Sequence, residues 1–101
     1  MVKHIILWRL KEEYSSAEKE EIKQKIKAAL EGLTGHIPGL LEIKVYTAGL
    51  PSSNADLMLD SSFVDADALK IYATHPLHVA AADTYVRPFT AVRSCFDLTI
   101  D

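Results

Sequence analysis

The sequence predicts an α+β fold, a four-stranded antiparallel sheet with its helices gathered on one face. Three observations predict it. Four short runs are rich in β-branched and aromatic residues, two stretches repeat apolar residues at helical spacing, and together they alternate as β-α-β-β-α-β. The chain has 101 residues, the size of one domain with one core, so residues 1–101 are read as a single domain.

The first run is Val2 to Leu10. Val2, His4, Ile6, Trp8 and Leu10 fall on one face of a strand, and Ile5 and Leu7 on the other, flanked by Lys3 and Arg9. A strand apolar on both faces belongs in the centre of a sheet, covered twice. The stretch YSSAEKEEIKQKIKAALEGL then carries Ser15 followed by Glu18 at capping-box spacing. Ile22, Ile26, Ala29, Leu30 and Leu33 recur at the interval of an amphipathic helix. Gly32 and Gly35 end it, and Pro38-Gly39 makes a turn.

Leu40 to Gly49 alternates, with Leu41, Ile43, Val45 and Thr47 against a wetter face of Glu42, Lys44 and Tyr46, and reads as the second strand. GLPSSNAD is a loop. Asp56 to Phe63 is the third strand, with Leu57, Leu59 and Phe63 on one face. Asp65 is placed to cap a helix running through Ala68, Leu69 and Tyr72. Pro76 interrupts that helix near His75, because the residue before a proline is pushed out of the α region. A new helix begins with Pro76, where the missing N–H costs nothing, and runs to about Val86 before Pro88. Ala91 to Ile100 closes the sheet, with Val92, Phe96, Leu98 and Ile100 in register. This order is a split βαβ of ferredoxin-like type. A sheet so small leaves the apolar groups of its uncovered face wet, and pairing two sheets face to face in a homodimer covers them.

Composition excludes several functions. The formal net charge is −3, and Lys19, Lys23, Lys25 and Lys27 are interleaved with Glu18, Glu20, Glu21 and Glu31, so no basic surface invites nucleic acid. The apolar run Ile5–Trp8 is too short for a signal-peptide core or a membrane span. One cysteine, Cys95, excludes an internal disulfide and a multi-cysteine zinc site, and fits a cytoplasmic protein. On the last strand Cys95 reads as a small buried hydrophobe. No glycine-rich phosphate loop, G-x-S-x-G or C-x-x-C is present, so neither cofactor nor metal is expected.

The candidate chemistry lies at YATHPLH, residues 72 to 78. Pro76 at the first helical position puts His78 in the first turn, where the positive end of the helix dipole disfavours an imidazolium. A histidine kept neutral there is suited to act as a general base. Tyr72, about a turn before the break, can donate a hydrogen bond to a developing oxyanion or fix the imidazole. His4 shares its strand face with Ile6 and Trp8, so the three rings converge if that face meets the helices. Singly, each has a structural explanation: His78 as a helix-start residue, Tyr72 as core, His4 as a strand end. Jointly, three polar rings on an apolar face call for a reason. His75 sits in the break itself and is assigned a structural role. A metal on His75 and His78 is disfavoured by the proline between them, with Asp83 the best placed carboxylate. His36 receives no role.

KHIILWRL, the amphipathic helix, Pro38-Gly39, the Y-x-x-H-P-x-H stretch with Asp83 beyond it, and the terminal Phe96-Asp97 strand together resemble the stress-responsive A/B barrel family over essentially the whole chain. The resemblance implies a dimeric α+β barrel with a pocket between sheet and helices in each subunit. It includes plant stress proteins of mainly structural character and a cofactor-independent polyketide cyclase that closes a poly-β-keto thioester by aldol condensation. The residues that cyclase relies on match His4, Tyr72 and His78. Carried over, His78 removes an α-proton, Tyr72 assists through its hydroxyl, and His4 orients the substrate or polarises its carbonyl. Ile6, Trp8 and Phe89 are the expected substrate-lining residues, and the ligand is expected to be small, apolar or carbonyl-bearing. Three activities follow as expectations: a cofactor-free cyclase, lyase or isomerase; a non-catalytic, ligand-binding or stress-associated dimer; and, further off, a cofactor-free monooxygenase.

Overall fold

In the computed structural model, which describes residues 1–100, β1 (Val2–Leu10) lies at the centre of a sheet ordered β2-β3-β1-β4. The other strands are β2 (Leu40–Tyr46), β3 (Leu57–Phe63) and β4 (Thr90–Thr99), and every neighbouring pair is antiparallel. The helices are α1 (Ser16–Glu31), α2 (Ala66–Thr74) and α3 (Pro76–Ala81). None is long and apolar enough to cross a membrane.

The alternation of β1 sets the layers. Val2, His4, Ile6, Trp8 and Leu10 are buried beneath the helices, while Leu7 and Arg9 on the opposite side are exposed. Ile43 and Val45 of β2, and Leu57, Leu59, Ser61 and Phe63 of β3, join the buried side. Ile26 and Leu30 close over them from α1, Leu33 from the turn that follows it, and Ala68 and Tyr72 from α2.

The local signals act as read. The Ser15 hydroxyl accepts from the Glu18 N–H while the Glu18 carboxylate accepts from the Ser15 N–H, a complete capping box. The same bonds hold the Glu18 carboxyl below its ordinary range. Asp65 caps α2 by accepting from the Ala68 N–H. Gly39 is required twice over: its φ is +82°, and a Cβ there would sit 2.5 Å from the Ala68 Cβ. It lets the β2 entry pass directly under α2.

Three expectations need correction. β2 ends at Tyr46 rather than Gly49, since residues beyond it have no partner on β3. The helix begun by Pro76 keeps α geometry only to Ala81 and continues as a π-helical turn, Ala82–Val86, and a 3-10 turn, Arg87–Phe89. Cys95 is exposed, not buried: the register pairs it with the buried Ile6 on the helix side of the sheet, but it stands on the edge strand β4.

Candidate active site

The break at Pro76 builds one wall of a cavity. His75 adopts an extended conformation, with φ −64° and ψ 132°, as a residue before proline should. Its Nδ1 accepts from the Leu77 N–H at 3.1 Å, so His75 caps α3 and faces no cavity with its free base. His78, one turn on, lies against Tyr72 with ring centroids 4.1 Å apart and planes inclined by 34°. The His78 Nδ1 meets the Ala73 carbonyl at 3.3 Å. A carbonyl can only accept, so that contact puts the ring proton on Nδ1 and leaves the lone pair on Nε2.

Burial is the main cause that pushes His78 below the ordinary imidazole range, and the positive charges of Arg87 and Arg93 and the nearby His4 push the same way; only the Ala73 carbonyl opposes them. The neutral state therefore has a broader cause than the helix terminus. Desolvation and two cations hold it there.

Tyr72 is the most enclosed of the three rings, 1% exposed. It packs edge-on against Phe63 at 5.0 Å and against His4 at 6.1 Å. Its hydroxyl is buried and has no hydrogen-bond partner among the described residues. Burial also raises its pKa, so the phenol stays protonated and available as a donor. Leaving such a hydroxyl unsatisfied costs about 1–3 kcal/mol.

His4 is fixed from the other side. Its Nδ1 lies 2.5 Å from Oδ1 of Asp97 on β4, and its carbonyl accepts from the Ser61 hydroxyl at 2.9 Å. The pairing of β1 with β4 places His4 directly opposite Asp97.

His4, Tyr72 and His78 all line one cavity of about 400 Å³ between the sheet and the helices. Ile6 and Trp8 line it too, and Trp8 forms part of its wall without filling it. Leu30, Leu59, Ala82 and Val86 complete the apolar lining, and Arg87, Thr90 and Arg93 add polar groups. Ala82 and Val86 lie four residues apart in the π-helical turn, where that interval returns nearly to the same face.

Phe89 is elsewhere. It packs against Tyr14 with centroids 6.1 Å apart and lines a separate groove beside Glu18, Ile22 and Tyr85. In a 3-10 turn, two residues are roughly 240° around the axis, so Phe89 points away from the cavity that Arg87 lines. Asp83 pairs with Arg87 on the exposed side rather than with either histidine of the break. Sequence reasoning missed Arg93 and Asp97 as neighbours of the rings. Their signal was present, since Arg93, Cys95 and Asp97 alternate with Val92, Ser94 and Phe96, but the strand register decides which set faces the rings.

The comparisons agree with this architecture. The family model of the stress responsive A/B barrel domain matches residues 2–100. A dimeric protein of unknown function and ferredoxin-like fold from Bacteroides fragilis superposes with a TM-score of 0.90 at 33% identity, covering 98% of this chain and 95% of that one. A dimeric ferredoxin-like protein of unknown function from Thermobifida fusca gives 0.82 at 24% identity, over 98% and 90% of the two chains. A hydroxynitrile lyase from Passiflora edulis gives 0.73 at 18% identity, over 99% and 93%, a likeness of fold alone. No curated protein matches the chain.

Proposed function

We propose, from the premise that this chain belongs to the stress-responsive A/B barrel domain family, that it is a cofactor-independent acid/base catalyst acting α to a carbonyl. One observation carries the reading: a neutral His78 with Nδ1 held by a backbone carbonyl stands beside a buried, unpartnered Tyr72 hydroxyl in a cavity of about 400 Å³. A base with one nitrogen fixed and a donor with no partner are the two groups that enolisation needs.

In the proposed step, Nε2 of His78 takes the α-proton of a bound carbonyl compound. The C–H electron pair moves into the Cα–C bond and the carbonyl π pair moves onto oxygen. The Tyr72 hydroxyl donates to that oxyanion and so gains the partner it lacks. His4, its ring held by Asp97, orients the substrate. The enolate then adds to a second carbonyl or is protonated elsewhere, as a cyclase or isomerase requires. Ile6, Trp8 and Leu59 take the apolar body of the ligand, and Arg93 faces its polar end.

The unit of function is proposed to be a cytoplasmic homodimer of one domain per chain. Leu7, Val92 and Phe96 lie exposed on the sheet face away from the helices, Phe96 at 67%. Such a patch on a small sheet is the kind that a second copy covers, and the similar proteins from Bacteroides fragilis and Thermobifida fusca are dimeric.

The test uses acetoacetyl-N-acetylcysteamine in deuterated buffer, with α-proton exchange followed by NMR above the buffer background. Exchange is expected in the wild type and about 10²–10⁴-fold slower in His78→Ala. A thermal shift by the same compound in both proteins, with no exchange in either, would overturn the catalytic reading and leave a ligand-binding dimer. That second reading is favoured by the same unpartnered hydroxyl, which a bound carbonyl satisfies without any reaction.

A further inference from the structure

The His4–Asp97 pair has a third neighbour. Sγ of Cys95 lies 3.8 Å from Nδ1 of His4 and 3.5 Å from Oδ1 of Asp97, and the two latter atoms are 2.5 Å apart. An imidazole nitrogen, a thiol and a carboxylate oxygen thus converge within 4.8 Å from two adjacent strands. We propose that His4 Nδ1, Cys95 Sγ and Asp97 Oδ1 form a binding site for a zinc-like divalent cation, with one coordination position left open.

The geometry carries this. A tetrahedral ion with N and O at about 2.0–2.2 Å and S at about 2.3 Å needs donor separations of roughly 3.3–3.6 Å. The two sulfur edges of the triangle are already near that range. Only the His4–Asp97 edge is short, and it opens by under about 1 Å when the ion replaces the proton between them. The donor set is also chemically selective. Thiolate with imidazole favours zinc, cobalt(II) and copper over magnesium or calcium, which take oxygen donors.

The scaffold suits an ion that enters from solvent. His4 is anchored in the central strand, its side chain 10% exposed, whereas that of Asp97 is 45% exposed and Cys95 is exposed on the edge strand. All three sit on the helix side of the sheet, opposite the Val92 and Phe96 face assigned to the dimer, so dimerisation leaves the site accessible. A coordinated thiol is deprotonated by the ion.

Coordination by Nδ1 and Sγ displaces the protons on those atoms to solvent. A neutral imidazole bound through Nδ1 carries its remaining proton on Nε2, so the ion fixes the ring of His4 in one tautomer. The site itself does not depend on catalysis by His78.

Cobalt(II) titration of the reduced, full-length protein tests it. One equivalent per chain is expected to bind, with visible d–d bands of four-coordinate intensity and a thiolate-to-cobalt charge-transfer band in the near ultraviolet. Zinc(II) should displace it stoichiometrically. Cys95→Ser should abolish the charge-transfer band, and Asp97→Asn should weaken binding at least tenfold. Both positions are exposed, so circular dichroism should show folded variants. In ¹⁵N-labelled protein, zinc should shift the His4 Nδ1 resonance as that atom becomes a ligand, with the ring proton on Nε2. Absence of saturable binding in the wild type, or equal binding in the wild type and both variants, overturns the site. Neither result bears on α-proton exchange by His78.

Discussion

One strand, β1, supplies two very different surfaces. Its even residues, Val2 to Leu10, face the helices and carry His4 among Ile6 and Trp8; its odd residues include Ile5 and Leu7 and face away. The face that the helices cover is the apolar core and yet holds the polar ring of His4, while the uncovered face, flanked by Lys3 and Arg9, still exposes Leu7 beside Val92 and Phe96. A buried polar ring and an exposed apolar cluster are the two departures from simple burial that carry information. Polar groups are kept under cover where a ligand can meet them in a low-dielectric cavity, and apolar groups are left outside where another copy of the chain can cover them. On the proposed function, the difference separates recognition of a small molecule from assembly.

The largest effect should come from attacking the uncovered face. Phe96→Asp introduces a charge at its most exposed aromatic residue, and sedimentation is expected to show complete conversion from dimer to monomer at micromolar concentration. The cavity lies on the opposite face, so ligand-induced thermal shifts should survive in the monomer if the two surfaces are independent. Their joint loss would show that dimerisation shapes the cavity.

A smaller effect should follow from removing one oxygen on the covered face. Tyr72→Phe deletes a buried hydroxyl that has no protein partner. The protein is expected to become more stable, by about 1 kcal/mol in urea unfolding, while α-proton exchange slows by about 10²-fold or more. Opposite signs for stability and activity mark a group held for function. A loss of both would make Tyr72 a core residue only.

The smallest effect is that of pH. Folding lowers the pKa of His78 from its ordinary 6.5, so below that pH the unfolded chain binds the proton more readily than the folded one. Stability is therefore expected to fall as pH drops through and below 6.5, and exchange activity to fall only further down, where the folded His78 is protonated. Denaturant titrations at stepped pH should show a shallower slope in His78→Ala. An unchanged slope would relocate the titrating group.

Much of the covered face was legible in the sequence because it depends on local rules. Alternation put His4, Ile6 and Trp8 on one side, the proline rule placed the break at His75, and that break lets Tyr72 at the end of one helix approach His78 at the start of the next. Phe89 was misplaced because a π-helical turn and a 3-10 turn look like one α-helix in sequence, yet they rotate the chain by different angles per residue. Asp97 and Arg93 were missed because nothing local reveals which residues of β4 stand opposite β1.

By itself, the sequence determined the strands and helices, their caps and the residue types able to do chemistry, since these follow from periodicity, φ restriction and hydrogen bonds a few residues apart. Tertiary structure decided the rest: the register that sets Asp97 against His4 and Cys95 beside both, the burial that keeps His78 neutral, and the isolation of the Tyr72 hydroxyl. The first depends on contacts between segments more than ninety residues apart, and all three depend on contacts between separate elements, where the energy of an arrangement belongs to the packed whole and not to any stretch of chain.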